Sequence, residues 1–295
     1  MMTRFRIATP QTRKKLVGRI FIYFVLIVGA AFFLAPLYVM LTTSLKPMDE
    51  IRQVHMLALP TAWTLAPWLK AWGSACIGVA CGGLKGSFLN TFVITIPSVA
   101  ISVMLGAING FALTKFRFRG DRLIFGLLLV GGFVPFQAEL LPTARLLATL
   151  GLFGTLPGLI LVHTLFGLPV TTLLFRNFYV SFPDSIIQAA RIDGAGFFDM
   201  FFRILLPVSG PMLIVAVILQ FTGVWNDFLF GLSFGRPDTA PVMAALNSLV
   251  STSFGEKEYN VNMAATILTA LPPLVIYIAS GKYFVRGLTA GAVKG

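Results

Sequence analysis

The sequence predicts an all-α membrane protein of six transmembrane helices with both termini in the cytoplasm. Three observations carry that prediction. The 295 residues are 57% hydrophobic and 12% charged, whereas soluble domains carry about 25% charged residues. Six windows are long and apolar enough for the roughly 20 residues that a bilayer core requires. The basic residues alternate across those windows: of 23 Lys and Arg, seven (Lys46, Arg52, Lys70, Lys85, Arg145, Arg236 and Lys257) fall on one side. The rest fall on the side of the N-terminus, which the positive-inside rule places in the cytoplasm. Six is even, so the C-terminus returns there.

In order, residues 1–17 form a basic tail and 18–43 the first span. That apolar run is too long for a signal-peptide core and lacks a cleavage site. The outside segment 44–87 holds Cys76 and Cys81, the two cysteines of the chain. On an oxidising side a local disulfide is one reading and two unpaired thiols the other. A bridge closing so short a loop shapes the loop rather than stabilising the whole fold. Residues 88–285 form the transmembrane core, with spans at 88–113, 122–142, 155–176, 208–232 and 263–285. Pro36, Pro97, Pro135, Pro169, Pro272 and Pro273 fall in or near spans; membrane helices tolerate them where neighbours satisfy the freed backbone groups. The outside segment 233–262 contains "PVMAALNSLV", expected to fold back as a re-entrant hairpin, and 286–295 is a cytoplasmic tail.

The net charge of +12 does not point to nucleic acid, because the basic residues lie in short clusters flanking apolar runs. "SGKYF" lacks the upstream glycine of a P-loop, and no His-Glu-x-x-His or Cys-x-x-Cys element occurs. The chain is therefore expected to be no enzyme, with no catalytic residue, no metal site and no cofactor of its own.

Between the fourth and fifth spans, on the inside, lies "SIIQAARIDGAGFFDMFFRI", residues 185–204. Read as helix, Ile187, Ala190, Phe197, Phe198, Phe201 and Phe202 supply apolar faces, and Gln188, Arg191, Asp193 and Asp199 are polar. Ser185 or Asp184 is placed to cap it after Pro183. Gly194 and Gly196 permit a bend or a close backbone approach. Such a helix is either a docking element for another protein or an amphipathic helix on the membrane surface.

Gln188-Ala189-Ala190, Asp193-Gly194-Ala195, Phe201, Ile204, Leu206-Pro207 and Pro211 resemble the "EAA" motif of permease subunits of binding-protein-dependent ABC importers. "WNDFLFGL" (225–232) and "YFVRGLTAGAVKG" (283–295) resemble the carbohydrate-uptake branch, within it the shorter, six-helix permease. "ACIGVACGGLK" and "KEYNVNMAA" resemble glucose/mannose-type members. The resemblance implies an ABC type I importer permease fold in the inner (cytoplasmic) membrane. It implies as partners a homologous second permease, two ATP-binding subunits that carry the ATP and Mg, and a periplasmic sugar-binding protein. It implies that 185–204 is a coupling helix seated in a cleft of an ATP-binding subunit, with Gly194 as its tight-turn residue and Ala189, Ala190 and Ala195 packing closely. The family usually has glutamate where Gln188 stands, so an ion pair from that position gives way to a neutral hydrogen bond.

Polar groups within a membrane are costly and mark function. Gln137, Glu139, His163, Asn226 and Asp227 fall in the outer half of their spans, with Gln220 and Asn109 deeper. Amides and carboxylates suit sugar hydroxyls, and Trp225 suits a pyranose face, so Gln137, Glu139, Trp225, Asn226 and Asp227 are candidates for a substrate path. The other reading makes Asn226, Asp227 and His163 locks between helices. A self-sufficient secondary carrier is the competing function. No inverted repeat and no buried acidic pair beyond isolated Glu139 and Asp227 supports it.

Overall fold

The structure, a computed structural model, describes residues 10–53, 56–78, 80–116, 118–251 and 256–292, with side chains from residue 18 to 281. Of the basic residues used for orientation, Arg4, Arg6, Arg117 and Lys294 lie outside the described residues, as do the ends of both predicted tails. The helices run α1 (Pro10–Ser44), α2 (Met48–Gln53), α3 (Ala66–Gly73), α4 (Lys85–Lys115), α5 (Asp121–Phe133), α6 (Phe136–Thr149), α7 (Leu156–Val180), α8 (Asp184–Ile192) and α9 (Phe197–Met200). A π-helical turn, Phe201–Leu205, leads into α10 (Leu206–Val208), α11 (Gly210–Trp225), α12 (Leu229–Phe234), α13 (Val242–Ser251) and α14 (Tyr259–Ala292). The all-α expectation needs one correction: two-residue strands β1 (Cys76–Ile77) and β2 (Ala80–Cys81) pair antiparallel, and a disulfide joins Cys76 to Cys81.

Among the described residues, four helices are long and apolar enough to cross a membrane, or up to six spans if each of two bent helix pairs counts as one. The window 122–142 is one such pair, since α5 and α6 meet at 104°. Pro135 explains the break. The residue before a proline is pushed out of the helical region, and Val134 takes extended angles (φ −64°, ψ 131°). The window 208–232 is shorter than read. α11 starts at Gly210, 82° off the preceding helices, and stops at Trp225. Pro207 and Pro211 each remove a helix donor beside that bend. The "PVMAALNSLV" stretch is largely one helix, α13, rather than a hairpin in itself. The predicted tail boundaries also shift, because α1 begins at Pro10 and α14 continues to Ala292.

Contacts divide the described chain into two units. The first comprises the chain to Leu69 together with Glu258–Ile267. Within it the segment after α1 is tied down by polar groups. Lys46 Nζ donates to the Ala58 carbonyl (2.5 Å), Asn260 Nδ2 to the Lys46 carbonyl (3.0 Å), and Tyr38 Oη to the Leu57 carbonyl (2.9 Å). Glu50 accepts the backbone N–H groups of Thr61 (2.8 Å) and Ala62 (3.3 Å).

The second unit, Lys70–Lys257 with Leu268–Gly295, is built on α4 against α7. Small residues let the two backbones approach. A Cβ on Gly106 would strike Thr171, and one on Gly110 would meet Arg176 N at 2.7 Å and Phe175 Cβ at 2.8 Å. Between them the buried Thr171 hydroxyl donates to the Ser102 carbonyl at 3.0 Å. α11 adds to this pair through Trp225, which is fully buried and meets Phe92 of α4 edge-on with centroids 4.9 Å apart. α13 joins through the Val242 N–H, which donates to Thr91 Oγ1 (2.7 Å).

Candidate functional site

The segment from Asp184 to Ser209 is a helix, a turn, and a second helix that widens into the π turn. α8 starts behind Pro183 without a side-chain cap. Its first turn is held from α4 instead: Lys115 Nζ donates to the Phe182 carbonyl (2.6 Å) and pairs with Asp184 Oδ1 (2.6 Å). Arg191, at the other end of α8, donates to the Lys115 carbonyl (2.9 Å) and lays its guanidinium over the Phe116 ring, 4.5 Å from the centroid. Lys115 and Arg191 thus clamp both ends of α8 to the end of α4.

α8 ends in a Schellman motif. The Ala195 N–H donates to the Ala190 carbonyl (2.9 Å) and the Gly194 N–H to the Arg191 carbonyl (3.1 Å), which satisfies two carbonyls that the helix end leaves orphaned. The motif requires a left-handed residue, and Gly194 has φ +83°. The alanines at 190 and 195 are therefore the two ends of the hydrogen bond that closes the turn.

The inner face of the segment is apolar. Ile187, Ala190, Met200, Phe201 and Leu205 are buried. Phe197 stacks on Phe111 (4.8 Å between centroids), as does Phe201 (6.1 Å), with Phe116 edge-on to Phe197 at 4.9 Å. At the π turn the Leu206 N–H reaches back five residues to the Phe201 carbonyl. Ser209, fully buried, closes it off by hydrogen-bonding Tyr179 Oη (3.0 Å) and the Leu205 carbonyl (2.6 Å). The outer face is open. Gln188, Ala189, Asp193 and Gly194 are exposed, as are Phe198 and Phe202, whose rings stack at 6.3 Å. Ile192 is 86% exposed. An Asp199–Arg203 pair (3.4 Å) lies on the same open side.

Of the predicted coupling residues, the structure thus places Gln188, Ala189, Asp193 and Gly194 on the open face. Ala190 and Phe201 face inward, Ala195 sits in the turn, and Pro207 is exposed in α10. Lys115, Arg191, Tyr179 and Ser209 hold the segment in place and were not singled out for that role from sequence. The signal available was a lysine directly at the end of an apolar run.

The predicted path residues are not brought together. Trp225 is in the core, its indole N–H donating to the Thr269 carbonyl (3.0 Å), so it offers no free face to a ring. Asp227 accepts the N–H groups of Phe230 (3.1 Å) and Gly231 (3.3 Å), and so caps α12; it also lies 3.7 Å from His163 Nε2. These contacts fit the helix-locking reading of the sequence. Gln137 and Asn226 are exposed. Glu139 lines a lateral cleft of about 660 Å3 bounded by α5, α6, α7 and Phe230. Among the described residues there is no group of three or more His, Cys, Asp or Glu that could hold a metal ion.

Comparison with known proteins bears on this geometry. The family described as the binding-protein-dependent transport system inner membrane component matches residues 87–289. A probable ABC transporter permease protein of Pyrococcus horikoshii is 37% identical over 94% of this chain and 98% of its own length. The xylose/arabinose import permease of Haloferax volcanii is 32% identical over 92% of each chain. In fold, the chain superposes with a TM-score of 0.79 on a chain of a bacterial ABC transporter involved in import of the acidic polysaccharide alginate. That match is at 19% identity and covers 95% of this chain and 100% of the other.

Proposed function

This chain belongs to the family of binding-protein-dependent transport system inner membrane components, and from that premise we propose that it is a permease subunit of an ATP-driven sugar importer, forming half of the translocation path. The observation that carries the reading is the 184–209 segment. Its inner face is welded to α4 and α7 through Phe111, Phe116 and Tyr179, while its outer face leaves Gln188, Ile192 and Phe198 uncovered. A partner seated on that outer face would move α4 and α11 with it, which is what coupling an ATPase to alternating access requires. ATP-binding subunits must bind the two access states unequally for such a movement to shift their populations.

In this reading six spans cross the inner membrane with both termini cytoplasmic, the 184–209 segment meets one of two ATP-binding subunits, and a homologous permease completes the path. The Lys and Arg distribution supports that orientation. The disulfide hairpin and α13 then face a periplasmic sugar-binding protein. Gln137 and Asn226, with exposed amides, are the proposed contacts to cargo. The cargo is a carbohydrate, proposed as glucose, mannose or a related small sugar. The pentose importer relative supports the carbohydrate class, and "ACIGVACGGLK" with "KEYNVNMAA" supports the finer choice. Family membership does not favour the secondary-carrier alternative.

The test is co-purification from solubilised membranes, followed by reconstitution and uptake. ATP-binding subunits and a second permease should accompany the chain, and uptake should require ATP. A chain that comes down alone, with uptake driven by a proton gradient and indifferent to ATP, would sink the proposal.

A further inference from the structure

The 104° bend between α5 and α6 lies beside α7, and the three helices bound a cleft of about 660 Å3. Small-molecule sites typically measure about 300–1,000 Å3 and carry a few polar groups in an apolar wall. The apolar wall here comes from α5 and α7, through Leu127, Leu128, Gly131, Phe166 and Pro169. A Cβ on Gly131 would meet nothing within 4 Å, so the wall faces open space at that point.

The polar groups come from α6. Phe136, Glu139 and Thr143 all line the cleft, and their spacing of three and then four residues puts them on one helix face. The fold uses neither polar member. Among the described residues the Glu139 carboxylate makes no hydrogen bond or ion pair, and the Thr143 hydroxyl makes no hydrogen bond. Thr91, Thr114, Thr149 and Thr171, by contrast, each donate to a carbonyl of their own helix. No Lys, Arg or His lines the cleft to compensate the carboxylate. Phe136 meets Phe230 edge-to-face at 6.2 Å and is still 45% exposed.

An ionisable group within a membrane span faces water, a partner or cargo, because hydrocarbon makes it costly. A carboxylate accepts hydrogen bonds and a hydroxyl both donates and accepts them, which matches the hydroxyls of a sugar. The electron-rich face of Phe136 suits the C–H side of the same ring. We propose that the α5–α6–α7 cleft is a subsite for an uncharged sugar, and that Glu139 makes it reject anionic ones. A lone carboxylate among apolar walls repels a second negative charge with little screening, and no cation in the cleft offsets it. The inference rests on the permease reading above and adds to it the charge class of the cargo and the helix face that reads it.

The experiment uses the assembly purified through this chain, or the full chain alone if nothing accompanies it. Gly131→Cys puts a thiol in the cleft, and the two native cysteines do not compete with it because they are joined to each other. Labelling by sulfonatoethyl (anionic) and trimethylammonioethyl (cationic) methanethiosulfonate is followed by the mass of this chain, each rate taken relative to that with free cysteine. The cationic reagent should react roughly tenfold faster than the anionic one, and adding Glu139→Gln should bring the two near parity. Glucose or mannose should slow labelling while glucuronate, a glucose-like ring with an added carboxylate, should not; Glu139→Gln should erase that difference. Equal rates of the two reagents with Glu139 in place would overturn the proposal, as would protection by glucuronate equal to that by glucose, or no protection by either neutral sugar. So would a thiol that neither reagent reaches, which would mean that protein or lipid fills the cleft. Loss of the ATP-binding subunits on purification would count against the importer reading and leave the reagent ratio readable.

Discussion

Replacing Gly194 separates two ways in which the 184–209 segment could depend on that residue. Its φ of +83° is left-handed, and a side chain there costs about 1–2 kcal/mol. Alanine recovers roughly 0.4–1 kcal/mol by restricting the unfolded chain, so Gly194→Ala should destabilise the turn by about 1 kcal/mol net, near fivefold in its population. Nothing within 4 Å would touch the new Cβ, so within the chain the whole effect is conformational. Asparagine tolerates the left-handed region better than alanine, and a β-branched residue tolerates it worst. Stimulated ATP hydrolysis by the assembly, together with exchange of the Ala195 amide that donates to Ala190, should therefore fall in the order wild type, Gly194→Asn, Gly194→Ala, Gly194→Val. If Gly194→Ala outperforms Gly194→Asn, side-chain bulk against a partner governs the position and the backbone argument is refuted.

Four further outcomes are expected. Lys115→Ala removes the donor that holds the Phe182 carbonyl; because Asp184 is largely exposed, its ion pair adds little, and a loss of about 1–2 kcal/mol should show as faster proteolysis near residue 182. Backbone N–H donation from Thr61, above all, and from Ala62 lowers the Glu50 pKa from its ordinary 4.5. A depressed carboxylate stabilises above its unfolded pKa and loses that contribution as pH falls through the folded value. The protection of the Thr61 and Ala62 amides, taken against their intrinsic exchange rates, should thus fall as the pH drops below the ordinary 4.5, and Glu50→Gln should show no such pH dependence. Gly106→Val should separate α4 from α7 and cost at least the ~1–3 kcal/mol typical of overpacking, measured as a lower melting temperature in detergent. Trp225→Phe breaks the hydrogen bond to the Thr269 carbonyl and should lower stability while leaving the substrate dependence of uptake unchanged; a raised KM at unchanged melting temperature would return Trp225 to the path.

The sequence made the 185–204 segment legible because its spacing is dictated locally: Ala190, Gly194 and Ala195 must stand in that order for one hydrogen bond to close the turn. The polar clamps were not legible, since Lys115 and Arg191 act across 76 residues of chain. Hydropathy found the 122–142 window but not its break, although Pro135 carried the information; averaging over about 20 residues hides one residue's dihedral angles. Trp225 and Asp227 were ambiguous in sequence for a related reason. An indole or carboxylate near the membrane's outer side looks the same in sequence whether it faces cargo or satisfies a backbone carbonyl or helix end, and the structure has both doing the latter.

The π turn at Phe201–Leu205 shifts the phase of everything on one side of it against the other. A hydrogen bond spanning five residues holds one more residue than an α turn, which amounts to about 100° of rotation. A helical wheel drawn unbroken from Phe197 into α11 would therefore misassign every face beyond the turn. Deleting one residue, such as Phe202, would restore the α register and swing Phe198 and the Gly194 turn by that angle relative to α11. A single-residue deletion here is a rotation of the docking surface, whereas the same deletion in a loop would be a change of length.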